Sequence, residues 1–188
     1  MLLTIANYLI FIYVPNERVM GAVQRIFYFH VASAFACYLA FAIVLISSIL
    51  YLVRKNKSYD ALNVAAAEVG FLFCTIVLIS GMIWGKAAWG TWFRMEPRLV
   101  TFLLLWLIFL AFNILRVFGE PRLVANHSAI LGIVGAITVP LMVYSIKILP
   151  AFKQLHPQVI EKAGLPTSMM LALLVTSLGV IIFQFFLI

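Results

Sequence analysis

Between Arg25 and Arg54 the chain runs through 28 residues without a single Asp, Glu, Lys or Arg. A helix needs roughly 20 mostly apolar residues to cross a bilayer core of about 30 Å, so this run is long enough to span. Four more segments of spanning length follow: Ala61 to Trp84, Leu99 to Phe118, Ser128 to Leu149 and Leu165 to Ile188, with Ile26 to Val53 as the first of five. Of the 188 residues 65% are hydrophobic and 10% charged, against about half and about a quarter in an ordinary soluble domain. No water-facing surface can be assembled from so few polar residues, so the apolar excess faces lipid and the chain is an integral membrane protein. Disorder is excluded on the same ground.

Leu2 to Val14, closed by Pro15, covers about 20 Å as a helix. It reads as a short, incompletely spanning first helix. It has no basic leader region and no small-residue cleavage site, so it is expected to be retained rather than removed as a secretory signal. With it, residues 1–188 form a single all-α transmembrane domain, a six-helix bundle over 2–14, 26–53, 61–84, 99–118, 128–149 and 165–188. Alternating connections place Arg54 to Asp60 and Gly119 to His127 on the side of both termini, and the other three loops opposite. The termini side carries five cations, Arg54, Lys55, Lys57, Arg116 and Arg122. The other carries eight: Arg18, Arg25, Lys86, Arg94, Arg98, Lys147, Lys153 and Lys162. Read literally, the positive-inside rule puts the termini outside. If the eight-cation face is instead external, a bound anion would explain its excess. Cys37 and Cys74 lie within apolar runs and read as packing residues, not as a disulfide or metal pair. Nothing resembles a nucleic-acid module.

The most unusual stretch is Trp84-Gly85-Lys86-Ala87-Ala88-Trp89-Gly90-Thr91-Trp92-Phe93-Arg94-Met95-Glu96-Pro97-Arg98-Leu99. Three of the four tryptophans fall within nine residues, mixed with glycines and three cations. Trp at a headgroup boundary can be a simple interfacial belt. A belt needs only scattered aromatics, whereas this segment forms a continuous aromatic and basic shelf in a loop between the third and fourth helices. It suits a flat hydrophobic ligand with anionic groups, such as a porphyrin with its propionates.

This segment resembles the tryptophan-rich motif of the CcmC/CcsA heme-handling family of cytochrome c assembly proteins. Trp84, Gly85, Lys86, Trp89, Gly90, Thr91, Trp92, Arg98 and Leu99 match that motif in place. Arg25 to Val31 resembles the family's segment around its first heme-ligand histidine, Ala67 to Gly70 the start of its third helix, and Pro140 to Ser145 the segment of its second histidine. The likeness covers nearly the whole chain. The sequence departs from it at Phe93, Met95 and Glu96, where the family has Trp or Trp-Asp, and at Val143, where the second ligand is expected. Valine cannot ligate iron.

The resemblance implies heme b, held non-covalently and transiently, with His30 as an axial ligand through a neutral imidazole nitrogen; without it, a lone helix histidine more often packs than ligates. A second ligand must come from elsewhere, with His156, in the loop Pro150 to Gly164, as the candidate and Met142 and Met95 as thioether alternatives. Trp84, Trp89, Trp92 and Phe93 would contact the macrocycle. Arg25, Arg94 and Arg98 are propionate candidates, their alternative being phosphate anchoring at helix ends. Lys86 suits either part. Glu96 is expected to orient Arg94 or Arg98, and His127, on the opposite face, to be solvated. Glu68 lies about two turns inside the third helix, where a carboxylate costs roughly 2.5 to 3.5 kcal/mol on insertion scales, so it should face the bundle or a partner subunit. Gly132 and Gly135, with Ala129 and Ala136, make a small-residue face for close helix contact.

The resemblance further implies a heme-delivery protein of cytochrome c maturation in the bacterial inner membrane. It would present heme at the outer face to a heme chaperone, beside a companion permease, ATP-binding subunits and a small membrane subunit of an ABC-type complex. The chain has no G-x-x-x-x-G-K-[ST] loop, so ATP hydrolysis falls to a partner and no enzyme activity is expected. Phe93, Met95 and Val143 favour an alternative, a heme-free structural or regulatory subunit of the same fold. A quinone-linked heme redox enzyme ranks last, because no two of the three histidines pair within a helix.

Overall fold

A computed structural model describes residues 1–149 and 165–188. The described residues are helical, with no strand beyond an isolated bridge between Glu17 and Gly21. We number the helices α1 (Leu2–Tyr8), α2 (Ile26–Arg54), α3 (Lys57–Trp89), α4 (Pro97–Phe118), α5 (Val124–Ile148) and α6 (Thr167–Leu187). Helix α1 runs on through a π-helical turn, Leu9–Tyr13, and α2 is entered through a 3-10 turn, Ala22–Arg25. Five helices are long and apolar enough to cross a membrane; α1 with its π turn is shorter, and packs against α6.

Local chemistry sets the helix ends. Lys55 adopts a left-handed conformation (φ 52°) that closes α2, and the Asn56 side chain then accepts the Ser58 N–H at 2.8 Å, starting α3 at once. Helix α3 therefore begins four residues before the expected Ala61. It also ends five residues after the expected Trp84, at Gly90 (φ 76°), whose missing Cβ suits the left-handed stop. Gly85 reads as a loop residue in sequence, but it is a buried helical position against the Trp89 ring. Ala87 and Ala88, both strong helix formers, carry the helix onward. Pro97 occupies the first turn of α4, where its missing N–H costs nothing.

Helix α2 is central, packed against α3, α5 and α6, while α4 and α5 pair with each other. The Phe41 and Phe109 rings stack at 3.7 Å. The small-residue face of α5 performs the expected role: a Cβ on Gly132 would sit 2.8 Å from Val44, and one on Gly135 2.7 Å from Phe109. Cys37 and Cys74 are free thiols buried in the same core cluster.

Charged side chains mark two layers. At one, Arg116 makes a bidentate ion pair with Asp60, both bonds 2.9 Å, and also donates to Ser128. The other is marked by Arg98, eighteen residues earlier on α4, or about 27 Å away along the helix. That separation matches the hydrocarbon thickness. Within the slab, Glu68 does not turn into the bundle as one expectation had it; it is exposed on the outer face of α3. The α3 face turned inward is filled instead by Ala66, Ala67, Gly70 and Phe73, which pack closely where a carboxylate would have no partner.

Candidate functional site at the Arg98 end of the bundle

His30 lies one turn into α2 and meets α3 at Ser80, with Nδ1 and Oγ 3.0 Å apart. The Ser80 hydroxyl donates to the Ile76 carbonyl at 2.6 Å, so its oxygen is left to accept. With the Ser80 proton on the Ile76 carbonyl, Nδ1 would carry the imidazole proton and donate it to Ser80, which would leave Nε2 as the ring's basic nitrogen. Opposite the ring, Gly81 provides the room: a Cβ there would stand 3.0 Å from His30 Cε1. An imidazole oriented in this way by a second residue is the usual arrangement of a metal-ligating histidine.

Trp84 follows Ser80 by one helical turn and so shares its face of α3. It packs edge to face with Trp89, centroids 5.3 Å apart, and its indole N–H is buried without a hydrogen-bond partner. The two tryptophans therefore stand on the last turns of α3 and not in a loop, a correction to the expected shelf. The connection is reduced to Gly90–Glu96, with Trp92 exposed and Phe93 half-buried. Lys86 is occupied in closing the helix, donating to the Gly90 carbonyl at 2.9 Å.

The three arginines have different surroundings. Arg98 stands in the first turn of α4, half-buried at the same end of the bundle. Arg94 pairs through Nε with Glu96 Oε1 at 2.8 Å, as expected; Glu96 is buried at the α4 N-terminus, where the helix dipole favours a carboxylate. Arg25 is held from the N-terminal arm, donating to Asn16 at 3.1 Å and lying over the Phe11 ring at 5.6 Å, while its Nε is buried without a partner. The arm itself is shaped by Glu17, whose carboxylate accepts the Val19 and Met20 amides at 2.8 and 2.6 Å. Those bonds hold its pKa below the ordinary glutamate value. Tyr28, packed between α2 and the α1 and α6 helices, also has a buried hydroxyl without a partner.

Buried side-chain atoms without a partner are spread through the described residues: Arg25 Nε and Trp84 Nε1 fall at the His30 end, Tyr28 packs towards α1 and α6, and Asn63, Ser177 and Gln184 lie elsewhere. Buried polar groups in folded proteins are nearly always bonded, so the free Nε of Arg25 and indole N–H of Trp84 are each available to a polar ligand. Arginines and indoles at the same end of the bundle as an imidazole are groups that suit a porphyrin with carboxylates.

The other expected residues fall elsewhere. His156 lies outside the described residues. Met142 is buried and accepts from Tyr38 at 3.8 Å, and Tyr38 stands two turns along α2 from His30, about 12 Å. Met95 is 86% exposed. Val143 is exposed on α5. His127 is exposed at the start of α5, near the opposite charged layer. No group of three or more potential metal-binding His, Cys, Asp or Glu residues occurs among the described residues. Sequence reasoning missed Ser80, Gly81, Tyr28 and Tyr38. The Ser80-Gly81 pair, small residues within the apolar run Ile76 to Trp84, was the available signal.

A family model described as heme exporter protein C matches residues 1–188. The heme exporter protein C of Paracoccus denitrificans is 32% identical over 133 residues, 70% of this chain and 55% of that protein. The protein of the same name from Escherichia coli K12 is 29% identical over 136 residues, 72% of this chain and 56% of that one. A putative cytochrome c biosynthesis ccmC-like mitochondrial protein of Marchantia polymorpha is 31% identical over 145 residues, 77% and 61% of the two chains. The chain spans a little more than half the length of these relatives.

Proposed function

The chain belongs to the heme exporter protein C family, and on that premise we propose that it is a heme-binding membrane protein of cytochrome c biogenesis that holds heme at the His30 end of its bundle. The observation that carries the reading is the orientation of His30, whose Nδ1 is committed to Ser80 so that Nε2 is the nitrogen left to bind iron. Heme is the cargo and brings an iron that accepts an axial imidazole and two propionates that accept arginine. His30 supplies the axial nitrogen. Arg98 and the unpartnered Nε of Arg25 would hold the propionates, and Trp84, Trp89, Trp92 and Phe93 the ring. Arg94, already paired to Glu96, serves better to shape the connection than to bind. Ligation from one strong side chain suits a protein that must release what it holds. His156 is our candidate for a second, weaker ligand.

The remaining arrangement is part of the same proposal. Helix α1 would sit in the bilayer beside α6 as a sixth, incompletely spanning helix, and the Gly90–Glu96 connection would face outward from a bacterial inner membrane. There the cations of that side would meet the heme carboxylates, which would account for their excess over the termini side. Heme b would be held non-covalently and passed to a heme chaperone. A companion permease, a small membrane subunit and ATP-binding subunits would complete the complex, with no catalysis by this chain.

A second reading is favoured by Val143, which stands exposed on α5 where a ligand is expected: a heme-free subunit that keeps the fold and its partner contacts. Complementation separates the two. In a strain deleted for this chain, wild type should restore covalent heme staining of c-type cytochromes and His30→Ala should not. Full restoration by His30→Ala would favour the heme-free reading.

A further inference from the structure

Helix α3 carries one ionisable carboxylate within the slab bounded by the two charged layers. Asp60, paired to Arg116, marks one layer, and Ser80, bonded to His30, lies near the other. Glu68 is eight residues from the first and twelve from the second, about 12 and 18 Å along the helix. It therefore sits near mid-depth. It is exposed, on a face continued by Leu62, Leu72, Ile76, Ile79 and Ile83, all more than a third exposed. No hydrogen bond or ion pair within the described residues engages it, whereas Asn63, the polar side chain nearest in sequence, turns inward and accepts from Ser48 at 3.2 Å. A carboxylate facing lipid at this depth, with no partner, is strongly disfavoured unless another molecule supplies one.

We propose that the Glu68 face of α3 is the docking surface for a transmembrane helix of a different subunit that carries a lysine or arginine at the same depth. Charge complementarity selects that occupant, because an acidic group alone in hydrocarbon is best matched by a cation. A second copy of this chain is a poor match, since every Lys and Arg of its described helices lies at a helix end or in a connection. Ala61 and Ala65 precede the carboxylate by seven and three residues, which places them on its side of the helix. Small side chains of this kind let a second helix approach closely. The inference does not depend on heme.

The test uses the full chain in the membranes of its own organism, with a photoreactive residue at Leu72, one turn from Glu68, and a control at Leu107, exposed on α4. The expected result is an adduct from Leu72, absent from Leu107, with a transmembrane segment of another subunit bearing a mid-span Lys or Arg. Its yield falls at least tenfold in Glu68→Leu. Combining Glu68→Lys here with an acidic replacement of the partner's basic residue restores it. An adduct with a second copy of this chain, adducts with lipid alone, or an undiminished yield in Glu68→Leu would overturn the proposal. So would a lower thermal midpoint for detergent-purified Glu68→Leu, because that would place the carboxylate's partner inside this chain.

Discussion

Replacing Ser80 by alanine tests the orientation of His30 without touching the imidazole. The substitution removes the side-chain partner of Nδ1, a 3.0 Å bond, and costs α3 little, because the Ile76 carbonyl that Ser80 bonds also sits within the helix ladder. Two independent estimates give its size. Loss of a residue that orients a metal ligand typically weakens binding 10- to 100-fold, about 1.4 to 2.7 kcal/mol. Leaving a buried donor unpaired costs about 1 to 3 kcal/mol. Titration of hemin into the detergent-purified protein, followed at the Soret band, should therefore give a Kd raised roughly 10- to 100-fold in Ser80→Ala. Ser80→Thr, which keeps the oxygen, should stay much closer to wild type. Unchanged Kd and spectrum in Ser80→Ala, with binding still lost in His30→Ala, would refute the account of Nδ1.

Gly81→Ala places a Cβ 3.0 Å from His30 Cε1, so the ring must yield by a few tenths of an ångström; the same titration should show a shifted Soret maximum and binding weaker by about fivefold, for about 1 kcal/mol of strain. Gly70→Val drives a side chain towards Phe41, whose Cε1 would be 2.7 Å from the new Cβ and whose ring is pinned by the stack on Phe109. Its thermal midpoint should drop by roughly 3 to 10 °C, with no specific change in the spectrum of any heme that remains bound. Glu17 has a folded pKa below its unfolded one, so it stabilises its turn above the ordinary glutamate range, and this contribution is lost as pH falls through the lowered value. The protection factors of the Val19 and Met20 amides, which remove the intrinsic fall of exchange with acid, should drop over that acidic interval in wild type, and should already be low at neutral pH in Glu17→Ala.

The spanning helices were legible because uncharged runs of twenty or more residues leave a chain few alternatives in lipid. Their ends were less so. Gly85 punctuates a sequence pattern as a breaker, yet in α3 it is the position that admits the Trp89 ring, and only Gly90 has the left-handed geometry of a stop. Which way Glu68 points was not readable, because a helix apolar on every face carries no pattern to separate lipid from bundle. The tryptophans and Arg98 stood out as candidates from the motif, and His30 from the flanking segment Arg25 to Val31. Ser80 was not, since its meeting with His30 joins positions fifty residues apart and depends on the register of α2 against α3, which local sequence does not encode. The pairing of Arg94 with Glu96 was visible because the two lie side by side in sequence.

The most direct test of the central claim is the heme content of the protein purified in detergent after expression with ample heme, measured as pyridine hemochrome beside His30→Ala. The account predicts near-stoichiometric heme in wild type, and its loss or a displaced Soret band in His30→Ala. A colourless wild-type protein that takes up no added hemin would contradict it.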